Sequence, residues 1–197
     1  MSLLGVPGVY TRRLNVTTGD VASNRRLCNY LKIYLRRYAS FHNFSPLTLK
    51  ILNSVPSLAF APCFVLAWTL IRINEISQID LPGLKSLSDI LIKSSKSDHI
   101  KTVSPLHSYK IKTLNAVPNH TRILVISYDS LKNSIKSARS QHDIVIGNSA
   151  LDCTHIFRHL EASWMFKCGV DPHTISSRLG HKMDATTRQY IHKDLYL

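Results

Sequence analysis

Residues 55–71, VPSLAFAPCFVLAWTLI, constrain the fold more than any other stretch. A helix apolar on every side has no face to give to water, so other elements must surround it. Its uninterrupted apolar part, Cys63 to Trp68, is far shorter than the roughly 20 residues that cross a bilayer. Two prolines interrupt the stretch and Arg72 follows at once. It therefore reads as the central helix of a soluble domain. The chain has 197 residues, 44% apolar and 19% charged, which is enough to wrap such a helix in one well-formed core.

The flanking sequence indicates what does the wrapping. Residues 1–18 read as a loose arm with Gly5, Pro7 and Gly8. From about Asp20, Leu27, Leu31, Tyr34, Leu35 and Tyr38 recur at helical spacing. DILIKSS (89–95) and HIKTVSPL (99–106) alternate as two short strands around a polar turn at Lys96–Asp98. RILVISYDSLKNSIKSA (122–138) starts extended and continues as a helix. Two further helices are expected over 154–168 and 172–179, and a short last one from about Ala185 with Asp184 as its N-cap. The expected class is mainly α with a small antiparallel sheet, an α+β fold.

Charge narrows the partner. Lys and Arg number 25 against 12 Asp and Glu, a formal +13, and such a surplus suits a polyanion, nucleic acid above all. Arg25, Arg26, Lys32, Arg36 and Arg37 line the polar side of the first helix, either as a solvated face or as phosphate contacts. Cys28, Cys63, Cys153 and Cys168 lie far apart, which excludes a zinc ribbon and gives no disulfide framework. A reducing cytoplasm, in association with the nucleoid, is the expected location. The N-terminus has neither the charged start nor the apolar core of a signal peptide.

The C-terminal third holds the chemistry. THIFRHL (154–160) sets His155, Arg158 and His159 on a mostly apolar run, and a buried arginine is costly unless it is paired or aimed at an anion. His155 and Arg158, three apart, share a helix face, while His159 points elsewhere, into packing. His155 and His159 also have a metal-ligand spacing, but Ile156 stands where a metalloprotease carries its glutamate. Zinc is not expected. Then L-G-H follows at 179–181, and Tyr190 nine residues after His181.

Taken as a series over residues 155–192, H-x-x-R, L-G-H and the late tyrosine resemble the C-terminal signature of the tyrosine recombinase, or phage-type integrase, superfamily. That resemblance calls for two more elements upstream, and both are present in order. LIRINEISQIDL supplies an arginine ending a buried helix, Arg72, with an acid three residues on, Glu75. IKSSKSDHIKTVSPL supplies a hairpin lysine, Lys96, with Lys93 as its substitute.

The resemblance implies cleavage and rejoining of double-stranded DNA through a 3′-phosphotyrosine. It makes Tyr190 the nucleophile, and Arg72, Arg158 and His181 the holders of phosphate charge. Lys96 becomes general acid to the 5′-oxygen, His155 a proton-handling partner, and Glu75 a buttress. Neither metal nor nucleotide cofactor is implied, since side-chain cations replace the one and the phosphotyrosyl ester conserves bond energy. A homotetramer on paired DNA sites is implied, and no membrane.

Arg72 comes too early for the separate DNA-clamping domain of larger members. Residues 1–30 are therefore expected to be a basic arm running into the first helix, and 31–197 the catalytic domain, similar in size to the small fimbrial-switch invertases. Where the family places a glycine two residues before the first arginine, this chain has Leu70, so any tight turn there is made without glycine. The tail IHKDLYL offers Leu195 and Leu197 as anchors for subunit exchange. The same fold would also suit a type IB topoisomerase, a hairpin-forming resolvase, or a non-catalytic DNA-binding regulator. The presence of all six expected side-chain types weighs against the last.

Overall fold

The computed structural model describes residues 15–38, 44–86, 90–93, 100–103, 112–146, 155–181 and 184–196. Helix α1 spans Thr18–Tyr38 and starts two residues before the expected point. Thr17 and Asp20 cap it reciprocally, with Asp20 N donating to Thr17 Oγ1 (3.1 Å) and Thr17 N donating to the Asp20 carboxylate (2.9 Å). Then come α2 (Pro46–Ser54) and the apolar helix α3 (Ser57–Thr69). Every residue of α3 from Ala59 to Thr69 is buried. It packs against α1, α2, α5 (Tyr128–Ser140) and α6 (Ile156–Lys167), as a helix without a polar face must. Phe64 is the hub of its aromatic packing, with ring contacts to Tyr34, Phe44, Phe60 and Trp68.

A 3₁₀ turn, Ile73–Gln78, and a short helix α4, Leu81–Ser86, lead to the hairpin. Strands β1 (Ile90–Lys93) and β2 (Ile100–Val103) pair antiparallel in the register Ile90↔Val103 to Lys93↔Ile100. The other residues of the two expected strands lie outside the described residues. Ile90, Ile92 and Val103 face the core, while Leu91 and Ile100 face outward. The intervening turn with Lys96 lies outside the described residues. Residues 122–127 form no strand: Ile123, Leu124 and Val125 are buried in irregular chain before Ser127 caps α5.

Helix α7 (Pro172–Leu179) is capped by Asp171, which accepts from Thr174 N at 2.9 Å. Helix α8 spans Asp184–Arg188, so Asp184 is the first helical residue rather than the cap before it. A final 3₁₀ turn, Lys193–Tyr196, lies on α6. Among the described residues no helix is long and apolar enough to cross a membrane.

Candidate active site

Helix α3 ends at Leu70, which takes the left-handed conformation (φ 54°) usually left to glycine. The side chain is 2% exposed and packs with Ala162, Ile175 and Leu179, so burial offsets the backbone strain. This turn sends the chain to Arg72. Glu75, fully buried, accepts from both the Arg72 backbone N–H (2.9 Å) and its guanidinium Nη1 (3.2 Å). One carboxylate thus fixes both the entry of the 3₁₀ turn and the arginine head, the favourable geometry for a buried charge.

Arg158 is 1% exposed, in the middle of the buried face of α6. Its Nη1 donates to the Leu70 carbonyl and its Nη2 to the Leu179 carbonyl at 2.7 Å. These carbonyls close α3 and α7, where helices leave acceptors unpaired and the dipole is negative. Burial lowers the guanidinium to about 10, with Tyr190 and Glu75 raising it and Arg72 lowering it, so it stays charged at neutral pH. Nε of Arg72 and Nε of Arg158 are both buried and lack a hydrogen-bond partner. Arg72 and Arg158 are near enough to feel each other's charge, and with the single Glu75 carboxylate they leave a net positive cluster suited to an anion.

His181 is delivered by Gly180, whose left-handed conformation (φ 66°) ends α7 and turns the chain so that His181 N meets Ser176 O at 3.0 Å. The ring Nε2 lies 3.0 Å from Arg158 Nη2, and Nδ1 lies 3.0 Å from Thr187 Oγ1. A guanidinium can only donate, so Nε2 accepts, and Nδ1 then carries the proton toward Thr187. Thr187, fully buried, is a tautomer-setting residue that sequence reasoning missed.

Tyr190 lies against this group. Its hydroxyl is 3.1 Å from His155 Nδ1, and Arg158 Cζ stands 5.4 Å over its ring. His155 occupies the N-cap position of α6. His159, expected in packing away from the site, instead stacks on the Tyr190 ring at 4.4 Å and 23°. Burial, His192, His155 and Arg158 together push its imidazole down to about 3, so it is neutral at pH 7.

Arg72, Glu75, His155, Arg158, His181 and Tyr190 are therefore brought together from four separate segments. Lys96 lies outside the described residues. Lys93, its substitute, has its backbone held by the Gln78 amide: Gln78 Nε2 donates to Lys93 O (3.0 Å) and Lys93 N donates to Gln78 Oε1 (2.8 Å). That pair of hydrogen bonds fastens the hairpin to the turn bearing Arg72 and Glu75. Arg25, Arg26, Arg36 and Arg37 are exposed on α1, whereas Lys32 is half-buried with its ammonium 5.2 Å over the Phe60 ring.

The sequence model of the phage integrase family matches residues 52–195, and the chain belongs to that family. Its fold is similar to two solved structures. One is a XerA recombinase, with TM-score 0.55 and 21% identity over 75% of this chain and 58% of that one. The other is the catalytic domain of bacteriophage HP1 integrase, with TM-score 0.51 and 21% identity over 73% of this chain and 80% of that one. This chain thus matches little more than half the length of the XerA recombinase. No curated protein matches it.

Proposed function

We propose that this chain is a site-specific DNA recombinase whose Tyr190 cleaves and rejoins strands through a 3′-phosphotyrosine. The observation that carries the reading is the single cluster in which the Tyr190 hydroxyl meets His155 while Arg158 covers its ring and holds His181. A phenol is a weak nucleophile until it loses its proton, so attack at neutral pH needs a proton acceptor at the oxygen. His155 Nδ1 is that acceptor in its Nε2-protonated tautomer. As the Tyr190 oxygen bonds to phosphorus, charge grows on the non-bridging oxygens; the partly exposed Arg72 guanidinium meets it directly, and the buried Arg158 guanidinium offsets it from behind the tyrosine ring. His181 joins them once its Nε2 is released from Arg158 and protonated.

Lys96 gives its proton to the departing 5′-oxygen. A 5′-hydroxyl from another strand then attacks the phosphotyrosine and restores the phenol. Side-chain cations carry the charge throughout, so the scheme requires neither metal nor nucleotide. The partner is double-stranded DNA in the cytoplasm. Residues 31–197 act as the catalytic domain, residues 1–30 as a basic arm, and four copies pair two sites. The exposed arginines of α1 grip phosphates beside the site.

The test is a denaturing gel of protein incubated with DNA nicked just 3′ of each phosphate in a candidate site, so that the cleaved fragment is lost. Wild type is expected to yield a protein–DNA adduct and Tyr190→Phe none. An adduct that persists in Tyr190→Phe, or none with wild type on any tested site, defeats the proposal.

A further inference from the structure

Tyr190 lies just beyond the end of α8, where two turn bonds still hold the backbone, Tyr190 N to Thr187 O at 2.9 Å and Ile191 N to Arg188 O at 3.2 Å. The further hold on its carbonyl and ring comes from α6. Ser163, 3% exposed and four residues after His159 on the same face, has one hydroxyl with two jobs. It donates to the Tyr190 carbonyl at 3.2 Å and accepts from the His192 N–H at 2.8 Å. His159 Nδ1 lies 3.0 Å from His192 Nε2, and the His159 ring lies flat against the phenol. An imidazole pair at that distance shares one proton, so one ring donates and the other accepts. The nucleophile is thus gripped from its own carbonyl, from its ring face and from the residue two places on, all by one helix that also carries Arg158.

We infer that Ser163, His159 and His192 form a clasp that sets the angle at which the Tyr190 hydroxyl is presented to the phosphate. They are positioning residues of the reaction proposed above, and the inference rests on that reading. None of the three has its polar side-chain atoms directed at the phenol oxygen, so none takes its proton. Their effect comes through geometry: a reacting oxygen displaced by about 1 Å loses on the order of a hundredfold in rate.

Two measurements test this, one dependent on chemistry and one not. In single turnover on nicked DNA, Ser163→Ala and His192→Ala are expected to slow adduct formation at least tenfold while DNA affinity stays near wild type; the melting midpoint falls in Ser163→Ala, which orphans the Tyr190 carbonyl and the His192 N–H. His192→Gln, whose amide nitrogen falls near the position of Nε2, is expected to recover to within about threefold. Rates within twofold of wild type in both alanine variants overturn the inference. So does a parallel loss of DNA affinity and melting midpoint, which marks a purely structural role.

The second measurement is the fluorine spectrum of protein containing 3-fluorotyrosine, with the Tyr190 line assigned by its loss in Tyr190→Phe. The clasp predicts that this line moves toward the free amino acid in the two alanine variants and holds in His192→Gln. An unmoved line overturns the clasp. If wild type forms no adduct but the line moves as expected, the recombinase reading has failed and the clasp itself stands.

Discussion

Leu70 shows how two residue-scale terms compete. A left-handed Leu costs about 1 kcal/mol or more in backbone strain, while emptying a buried leucine site costs about 2–5 kcal/mol. Leu70→Gly relieves the first and incurs the second. Chemical denaturation is therefore expected to show net destabilisation, despite glycine being the better turn residue. A stabilised Leu70→Gly would mean that the packing with Ile175 and Leu179 contributes little. Thr187 gives a second residue-scale expectation. Thr187→Val keeps the shape but leaves the His181 Nδ1 proton without its buried acceptor, at a cost of about 1–3 kcal/mol. An unchanged denaturation midpoint would refute the buried hydrogen bond between Thr187 and His181.

At the scale of elements, α1 and the C-terminal turn tell opposite stories. The basic face of α1 keeps Arg25, Arg26, Arg36 and Arg37 exposed, whereas Lys32 lies over Phe60 and is less available to a phosphate. Replacing the four arginines with glutamine should flatten the dependence of DNA affinity on salt, by up to about 0.9 in logarithmic slope for each phosphate no longer neutralised. An unchanged slope would return α1 to the status of a solvated surface. The tail residues Leu195 and Leu197 are expected as anchors for subunit exchange. Leu195 packs instead on the core of its own chain, Leu197 lies outside the described residues, and Tyr196 also ties the tail to α6. The Tyr196 hydroxyl donates to Leu160 O at 3.0 Å and its ring meets Trp164 edge-on at 5.2 Å. Burial raises its phenol well above the usual range.

For the whole molecule, two buried groups on α6 oppose each other as pH changes. Glu161, 1% exposed, accepts from Ser45 N at 3.1 and 3.3 Å and thereby ties α6 to the start of α2. Burial raises its carboxyl to about 7, with hydrogen bonds from Thr48 and Ser45 opposing. The unfolded chain ionises this group near 4.5, so its stabilising effect is complete below that pH and lost as pH rises toward 7. His159, depressed to about 3 by burial, works the other way: stability falls as pH drops from about 6.5 toward 3. Between about 4.5 and 6.5 the two slopes cancel. Glu161→Gln should remove the loss above pH 4.5 and raise stability at pH 8 by roughly 3 kcal/mol. Urea unfolding across pH would show it, and a Glu161→Gln protein less stable than wild type at pH 8 would refute it.

What the sequence determined by itself was whatever repeats locally or matches at fixed spacing: a core helix forced by an all-apolar run, a hairpin from alternation, and the order arginine, glutamate, histidine, arginine, histidine, tyrosine. It also raised the question of what Arg158 is held for, because a buried guanidinium needs acceptors wherever they come from. Only the tertiary structure decided those acceptors, the Leu70 and Leu179 carbonyls, since they arise where two helices separated by about a hundred residues end side by side. The same holds for Thr187, Ser163 and the His159–His192 pair. A hydrogen bond needs atoms about 3 Å apart, and no periodicity along the chain encodes a distance between segments that meet only after the core has closed.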